Sequence, residues 1–258
     1  MQEKKGISGS TIKLIAIITM FIDHFAATII ERGIYANGGM IDYSFTGGIP
    51  EPIVIVYYIL RLIGRLGFPI FIFLLIEGFK YTRNRWKYLL RLAIFALVSE
   101  IPFDLAFKIS KSQLLKGKFI EFGYQNVFFT LAIGMLTIIC MDLILNTKLP
   151  TAVKVILRIL IMLAGAATAE LLRTDYGALG IFAISAMYFF RNKKPVLGAL
   201  LTCIVLTIGN LFEFTSFFVL LPIAKYDGRR GLNLKYVFYA FYPVHLLLLA
   251  GVCLLLGY

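Results

Sequence analysis

Long apolar runs follow one another along almost the whole chain, and this succession constrains the fold more than any other feature. An α-helix needs about 20 apolar residues to cross a bilayer, and most of the runs approach or exceed that length. Their approximate bounds are 12–30, 53–79, 88–107, 124–145, 152–172, 177–190, 196–210, 212–224 and 236–256. Hydrophobic residues make up 60% of the chain and charged residues 16%, against roughly 25% charged in soluble domains. The pattern therefore excludes a soluble or disordered protein and predicts an all-α, polytopic integral membrane helix bundle.

The number of crossings depends on two short runs near the end of the chain. Segments 196–210 and 212–224 are each shorter than a full crossing and either span the membrane or form a re-entrant pair. The sequence therefore predicts eight to nine transmembrane helices in a single domain, 1–258. The run 53–79 is too long for one straight crossing at 1.5 Å per residue. Glycines and a proline fall in its middle, at Gly64, Gly67 and Pro69, and predict a kink or break there.

Lysine and arginine residues are distributed unevenly between the connections, and this predicts the orientation. With nine crossings and the N-terminus inside, the inner connections hold 18 of the 26 basic residues and the outer connections hold 6. Cytoplasmic loops are enriched in Lys and Arg, so a cytoplasmic N-terminus is expected. The connection at 108–118 is a basic exception on the outer side. The net charge of +12 is then explained by headgroups of the lipid bilayer, and no nucleic acid partner is expected.

Cysteine spacing and short motifs exclude several kinds of chemistry. Cys140, Cys203 and Cys253 all lie within apolar runs, at spacings that indicate neither a disulfide framework nor a zinc site. Two histidines without further ligands do not make a typical zinc site. None of the patterns GxxxxGK[ST], HExxH, CxxC and GxSxG is present. No metal is expected, and the chemistry must come from individual polar groups.

Polar and ionisable residues occur within the predicted crossings in unusual number. Each costs about 2.5–3.5 kcal/mol at a helix centre on insertion scales, so such groups are retained for pairing or for chemistry. Their predicted depths place most of them in the central and outer parts of the bilayer. The set comprises Asp23, His24, Arg61, Arg65, Glu77, Glu100, Asp104, Gln125, Asn126, Glu170, Arg173, Asp175 and His245.

His24 is the strongest candidate for a catalytic residue. It lies deep in the first crossing, directly after Asp23, and an imidazole suits general-base work near neutral pH. We therefore expect His24 to act as a base and Asp23 to orient or charge its ring. His245 follows Pro243 in the last crossing, where a role in positioning an acceptor or in packing is expected.

Arg61 and Arg65 form a cationic pair on one face of the second crossing, because residues four apart in a helix are neighbours. Arg65 or Arg61 is expected to stabilise an oxyanion. The alternative is a structural role, in which both arginines neutralise Glu100 and Asp104 of the third crossing. The residues expected to contact substrate or to support those that do are Arg61, Glu100, Asp104, Asn126, Asp175 and His245.

The polar residues alone leave three functions open. A histidine base with cationic partners at mid-depth suits attack on an activated acyl group. The same set suits proton-coupled transport of a small molecule. A non-catalytic assembly factor for a surface structure is the third possibility.

Several segments, spread along the chain in order, resemble the TraX family of membrane proteins, named for the acetylase of conjugative pilin. The most specific are SEIPFDL at 99–105 and QNVFFT at 125–130. The others are IKLIAIITMFIDH at 12–24, the run 60–85, the run 88–105, DYGALG at 175–180 and YPVHL at 242–246.

The resemblance implies acetyl transfer by an integral enzyme of the bacterial cytoplasmic (inner) membrane. The family is distantly similar to wider transmembrane acyltransferases, which share an arginine, ten residues and a histidine in the first helix. Here Lys13 precedes His24 by that spacing, with lysine in place of arginine. The resemblance implies acetyl-coenzyme A (acetyl-CoA) as donor and His24 as base. The acceptor would be a pilin N-terminus or a cell-surface glycan, lipid or peptide, at the outer side or within the membrane.

Overall fold

The computed structural model describes residues 6–41, 51–192, 194–232 and 235–258. Within these residues the regular secondary structure is helical, apart from two isolated β-bridges. A π-helical turn, Ala26–Ile30, follows the first helix, and a 3₁₀ segment, Leu211–Val219, precedes α11. The α-helices are α1 (Gly9–Phe25), α2 (Glu31–Ala36), α3 (Pro52–Gly64), α4 (Gly67–Tyr81), α5 (Arg85–Phe107), α6 (Lys111–Leu115), α7 (Val127–Leu145), α8 (Thr151–Leu171), α9 (Gly177–Phe190), α10 (Pro195–Gly209), α11 (Leu220–Ala224) and α12 (Lys235–Leu256).

Five elements are long and apolar enough to cross a membrane, judged by length and composition within the described residues. They are Gly9–Ala36, Pro52–Tyr81, Val127–Leu145, Thr151–Leu171 and Tyr236–Leu256. Helices α9 and α10 and the stretch Leu211–Ala224 are apolar but shorter. The all-α membrane architecture is confirmed, whereas the count of eight to nine crossings stays a prediction.

The first membrane element is continuous but irregular. The Ser8 side chain accepts a hydrogen bond from the Thr11 backbone N–H at 3.3 Å and caps the start of α1. Two residues after His24 the helix widens into the π-helical turn, where the Thr28 hydroxyl donates to the His24 carbonyl oxygen at 2.6 Å. Single π-turns inside helices are frequent at functional sites, and this one lies directly beyond His24.

The break predicted in the second membrane element is confirmed. Helix α3 ends at Gly64 and α4 begins at Gly67. A Cβ atom on Gly64 would lie 2.3 Å from the Cβ of Asp23, so the absence of a side chain lets α3 approach α1 closely. This approach brings Arg61 and Arg65 to the level of Asp23.

One main core joins helices that are distant in sequence. Ile12, Ile70, Met135, Ile184 and Leu246, from five different helices, are all fully buried in it. Helix α12 packs against α5 and α1, which places the last membrane element beside the first. Helix α8 lies at the edge of the bundle against α7 and α9, and its outward apolar side chains suit contact with lipid.

Candidate functional site

The two histidines of the chain meet between the first and last helices. His24 of α1 and His245 of α12 lie 221 residues apart in sequence, and their Nδ1 and Nε2 atoms are 2.7 Å apart. The rings are nearly parallel, with an interplanar angle of 5°. The sequence predicted both residues as candidates, but it did not predict that they would bond to each other.

The hydrogen bonds of the pair define which nitrogen carries each proton. His245 Nδ1 lies 2.7 Å from the Phe241 carbonyl oxygen, which can only accept, so Nδ1 carries a proton. In a neutral His245 the Nε2 atom is then an acceptor, and His24 Nδ1 donates to it. The lone pair of a neutral His24 is thereby left on Nε2, on the opposite side of the ring. That nitrogen has no hydrogen-bond partner in the part of the chain that the structure describes. This is the tautomer that a general base needs.

Asp23 does not hydrogen bond to His24, so the expectation that it orients the histidine directly is wrong. Its carboxylate is held by two guanidinium groups, with Arg61 Nη1 2.6 Å from Oδ2 and Arg65 Nη2 2.6 Å from Oδ1. The backbone direction at adjacent helical positions explains the difference, because consecutive side chains point about 100° apart. Asp23 faces α3 and His24 faces α12.

The two arginines are not partners of Glu100 and Asp104, so that structural alternative is also wrong. Besides Asp23, Arg65 contacts Glu213, with Nη1 3.1 Å from Oε1. Glu213 lies in the 3₁₀ segment and is 3% exposed. Sequence reasoning missed this carboxylate. Its position as the one acidic residue within the apolar run 212–224 was the available signal.

Glu100, Asp104 and Asn126 instead organise the start of α7 and the connection before it. The Asn126 side-chain oxygen caps α7 by accepting from the Phe128 N–H at 3.0 Å, and its Nδ2 donates to Glu100 at 2.5 Å. Asp104 accepts from the Glu121 backbone N–H at 2.7 Å. None of the three lines the two cavities described below. Their expected contact with substrate therefore stays a prediction without a cavity to support it.

The connection between α5 and α7 contains the basic residues at 108–118, which are the exception to the predicted excess of Lys and Arg in the inner connections. Lys118 hydrogen bonds to Glu121 at its surface. This bond lowers the pKa of the Glu121 carboxyl below its ordinary value. Lys108 lies over the ring of Tyr124, 4.6 Å from its centroid.

The first of two cavities lies next to His24 and has a volume of about 340 Å³. Its wall contains groups of both charges and several aromatic rings. The charged and ionisable lining residues are Asp23, His24, Glu31, Arg61, Arg65, Lys108 and Asp175. Asp175 is held there by Tyr124, whose hydroxyl donates to its Oδ1 at 2.8 Å. We call this space the polar cavity.

The second cavity is larger, about 560 Å³, and lies toward the opposite end of α1. Its wall is mostly apolar and aromatic, and it includes three basic side chains, from Lys13, Arg91 and Arg230. Glu77 also lines it and accepts from the Tyr226 hydroxyl at 3.0 Å. Because Lys13 lies eleven residues before His24, about 16 Å along the helix axis, the two residues belong to different cavities. We call this space the basic cavity.

The two cavities share part of their walls. Met20, Phe71, Val127 and Tyr242 line both. A ligand in the basic cavity and another in the polar cavity would therefore approach each other at this common wall. The His24 and Tyr242 rings pack edge to face at 5.9 Å between centroids, so His24 of the polar cavity packs against a residue of this common wall.

Comparison with known proteins assigns the family. The profile of the family described as TraX protein matches residues 8–253. The chain belongs to the TraX family. It is also 29% identical over 272 aligned residues to the "Probable fimbrial assembly protein FimC, serogroup H1" of Dichelobacter nodosus, an alignment that covers 97% of this chain and 98% of that relative. No solved structure matches the chain at a significant level.

Two of the segments that resemble the TraX family meet in the site. The first, 12–24, carries both Lys13 of the basic cavity and the Asp23–His24 pair of the polar cavity. The last, YPVHL at 242–246, carries Tyr242 and His245. These two segments of the TraX protein lie on its first and last helices, whose histidines are 2.7 Å apart.

A metal site is not apparent in the described residues. No group of three or more histidine, cysteine, aspartate or glutamate side chains is placed there to hold an ion. Cys140, Cys203 and Cys253 are free thiols. The candidate chemistry thus rests on the histidine pair and the cavities on either side of it.

Proposed function

We propose that this TraX protein is an integral membrane acetyltransferase of the bacterial inner membrane. In this proposal acetyl-CoA is the donor and occupies the basic cavity. The acceptor is a pilin N-terminus or another surface group, and it enters the polar cavity. The supporting observation is the histidine pair, because its hydrogen bonds leave His24 Nε2 unprotonated, and His24 lines the polar cavity and packs against Tyr242 of the shared wall.

The composition of the basic cavity suits coenzyme A. Lys13, Arg91 and Arg230 offer cationic donors for phosphate groups, as in other phosphate sites. The apolar remainder of the wall suits the uncharged pantetheine arm. The volume of about 560 Å³ lies within the roughly 300–1,000 Å³ range of ligand pockets. With the N-terminus cytoplasmic, as the charge bias predicts, this cavity would face the compartment that supplies acetyl-CoA.

The proposed step is a direct transfer with His24 as the general base. The acceptor amine or hydroxyl attacks the thioester carbonyl carbon while His24 Nε2 takes its proton. The carbonyl then re-forms, the carbon–sulfur bond breaks, and the proton passes from His24 to the thiolate of coenzyme A. His245 holds the His24 ring in the required tautomer through the 2.7 Å bond, and it stabilises the imidazolium that forms.

The ion pairs of Asp23 give the arginines a positioning role in this proposal. Arg61 and Arg65 each have a nitrogen committed to Asp23, so both guanidinium groups would be fixed in orientation in the wall of the polar cavity, with their charge balanced by Asp23 and Glu213. Preorganised N–H dipoles of this kind stabilise a developing oxyanion without reorganisation during the step. Arg65 is the better placed of the two for a fixed orientation, because Glu213 holds its other terminal nitrogen.

The decisive experiment measures transfer of labelled acetyl from acetyl-CoA by the purified protein and its His24→Ala variant. A general base contributes typically 100- to 10,000-fold, so the variant should lose at least about 100-fold in rate and still bind acetyl-CoA. His245→Ala should lose less, since His24 keeps its imidazole. Transfer by His24→Ala above about a tenth of the wild-type rate would remove His24 as the base.

A second candidate function is a non-catalytic role in assembling a surface structure. The name of the fimbrial relative, a probable fimbrial assembly protein, favours this role. The same variant separates the two functions. Cells that carry His24→Ala should lose the acetylated product but keep the protein in the membrane. Normal assembly in those cells, with no transfer by the wild-type protein in vitro, would favour the assembly role. Uptake driven by a proton gradient in proteoliposomes would instead favour a transporter.

A further inference from the structure

We infer that Tyr242 is a second catalytic residue, whose hydroxyl donates a hydrogen bond to the carbonyl oxygen of the acetyl group during transfer. The inference rests on the proposed acetyltransferase function and adds a hydrogen-bond donor that would stabilise the oxyanion of the tetrahedral intermediate. Among the residues singled out from sequence, His24 supplies a base, but none supplies an uncommitted hydrogen-bond donor where the cavities meet.

Tyr242 occupies the position at which the reacting groups must meet. It is 3% exposed, and it lines both the basic and the polar cavity. The other three residues of the common wall are Met20, Phe71 and Val127, whose side chains are apolar. Among the four, Tyr242 is thus the residue whose side chain carries a strong hydrogen-bond donor.

The ring of Tyr242 is held rigidly on three sides. It packs edge to face against His24 at 5.9 Å, Phe128 at 5.1 Å and His245 at 5.7 Å between centroids. Tyr242 precedes His245 by three residues on α12, so the two side chains share one face of that helix. A donor fixed in this way needs no rearrangement when charge develops.

The ring of Tyr242 lies beside the start of α7. Val127, the first residue of that 19-residue helix, lines both cavities together with Tyr242, and the Phe128 ring packs on the Tyr242 ring. Within the described residues no acceptor is hydrogen bonded to the Tyr242 hydroxyl proton. The positive end of the α7 dipole adds to the preference for negative charge at this place.

The transfer step with Tyr242 is balanced without any further reactant. The acceptor lone pair forms a bond to the acetyl carbon, and the carbonyl π electrons move onto oxygen, which accepts the Tyr242 hydrogen bond. His24 Nε2 takes the acceptor proton. When the intermediate collapses, the carbonyl double bond re-forms, the electron pair of the carbon–sulfur bond leaves with sulfur, and His24 returns the proton to give the free thiol. The Tyr242 proton stays on its own oxygen throughout.

The test compares Tyr242→Phe with Tyr236→Phe in purified protein. Tyr236 lies on the same helix, outside both cavities, and is 76% exposed. Loss of one oxyanion donor lowers kcat by about 100- to 1,000-fold, so Tyr242→Phe should show that loss with unchanged affinity for acetyl-CoA. Tyr236→Phe should keep wild-type kcat. A Tyr242→Phe protein that binds acetyl-CoA and keeps kcat within threefold of wild type overturns the inference.

Fluorinated tyrosine placed at position 242 provides a readout that a packing role would not move. Fluorine makes the phenol more acidic and keeps the ring and the hydroxyl, so kcat should change in step with phenol acidity. The same replacement at position 236 should have no effect. A kcat that is independent of fluorination at 242 contradicts the inference even if Tyr242→Phe fails to fold. If the wild-type protein transfers no acetyl group at all, the proposed function fails, which is a different outcome from an active enzyme that is indifferent to position 242.

Discussion

Two aspartates in this protein are each held by two arginines, and the two clusters have different surroundings. Asp23 lies 2.6 Å from Arg61 and 2.6 Å from Arg65. Asp142 of α7 lies 2.6 Å from Arg85 and 2.9 Å from Arg191. Both carboxylates are nearly buried, so both clusters meet the requirement that charges in an apolar environment be paired.

The Asp142 cluster is closed off by aromatic rings. Arg85 lies over Phe79 at 4.1 Å and Arg191 over Tyr188 at 3.9 Å from the ring centroids. The Tyr188 hydroxyl also donates to Asp142 at 3.0 Å. None of these atoms lines either of the two cavities described above. This cluster joins the ends of α5, α7 and α9.

The Asp23 cluster forms part of a cavity wall instead. Asp23, Arg61 and Arg65 all line the polar cavity beside His24. Two carboxylates with similar arginine partners therefore differ in their surroundings. The Asp23 cluster lines the polar cavity, whereas the Asp142 cluster lines neither of the two cavities described, and this difference depends on the neighbouring helices and not on the charges.

The largest expected effect that tests this comparison comes from removing each aspartate charge. Asp23→Asn and Asp142→Asn should each lower the free energy of unfolding by about 3–5 kcal/mol, since each removes the charge of a buried carboxylate that two guanidinium groups share. Asp23→Asn should in addition lower acetyl transfer per folded molecule by about 100-fold. Without the carboxylate, Arg61 and Arg65 would shift, and a small displacement of groups beside the reacting atoms slows a reaction strongly. Asp142→Asn should leave transfer per folded molecule unchanged. Thermal unfolding in detergent and an acetyl-transfer assay on folded protein give both quantities, and equal activity losses would remove the distinction.

A smaller effect is expected when lysine replaces the arginine of each cluster that contacts two different acceptors. Arg65 uses two nitrogens for Asp23 and Glu213, and Arg191 uses two for Asp142 and the Tyr188 carbonyl oxygen. Lysine cannot reproduce either pair of contacts, so each variant should lose about 2 kcal/mol of stability. Arg65→Lys should also slow transfer, and Arg191→Lys should not. A transfer rate for Arg65→Lys equal to that of Arg191→Lys would show that the Asp23 cluster is only structural.

Replacement of glycine by alanine tests the close approach of α3 to α1 on which the Asp23 cluster depends. A Cβ on Gly64 would lie 2.3 Å from Asp23 atoms, whereas a Cβ on Gly251 of α12 would meet nothing within 4 Å. Gly64→Ala should therefore cost about 1–3 kcal/mol and weaken transfer. The matched control Gly251→Ala should stabilise the helix by about 0.5–1 kcal/mol. Chemical unfolding of both variants measures the difference, and a neutral Gly64→Ala would mean that α1 and α3 can separate without loss.

The smallest effect is expected at an exposed ion pair outside both clusters. The hydrogen bond from Arg229 lowers the pKa of Asp227 below its ordinary value. A depressed pKa contributes stability that is present above the unfolded-state value of about 4 and is lost as pH falls through the folded value. Asp227→Asn should therefore be slightly less stable than wild type at pH 6, and the two should converge below pH 4. Unfolding temperatures measured against pH check this, and a difference that grows on acidification would reverse the assigned sign.

The membrane class and much of the site membership could be predicted from local features. Hydrophobic run length determines that the helices span a membrane, and Gly64, Gly67 and Pro69 determine the break in the second one. The helical rise also places each ionisable residue at an approximate depth. His24 and Asp175 were singled out in this way, and both line the polar cavity.

The partners of those residues could not be predicted from the same features. The depth of a residue along a helix does not indicate how the helix is rotated about its axis or which helix packs beside it. Asp23 was assigned to His24 because the two are adjacent in sequence, yet it pairs with Arg61 and Arg65. Glu213 escaped notice because its run was identified as apolar, although it holds Arg65.

The sequence by itself determined a helical membrane protein of the TraX family, with ionisable residues within its first, second and last membrane elements. Only the tertiary structure decided that His24 meets His245, 221 residues away, and that Tyr242 stands between two cavities. The physical reason is that a helix specifies its own geometry through local hydrogen bonds. The pairing of helices depends on how side chains from distant segments pack, and no local feature of the chain contains that information.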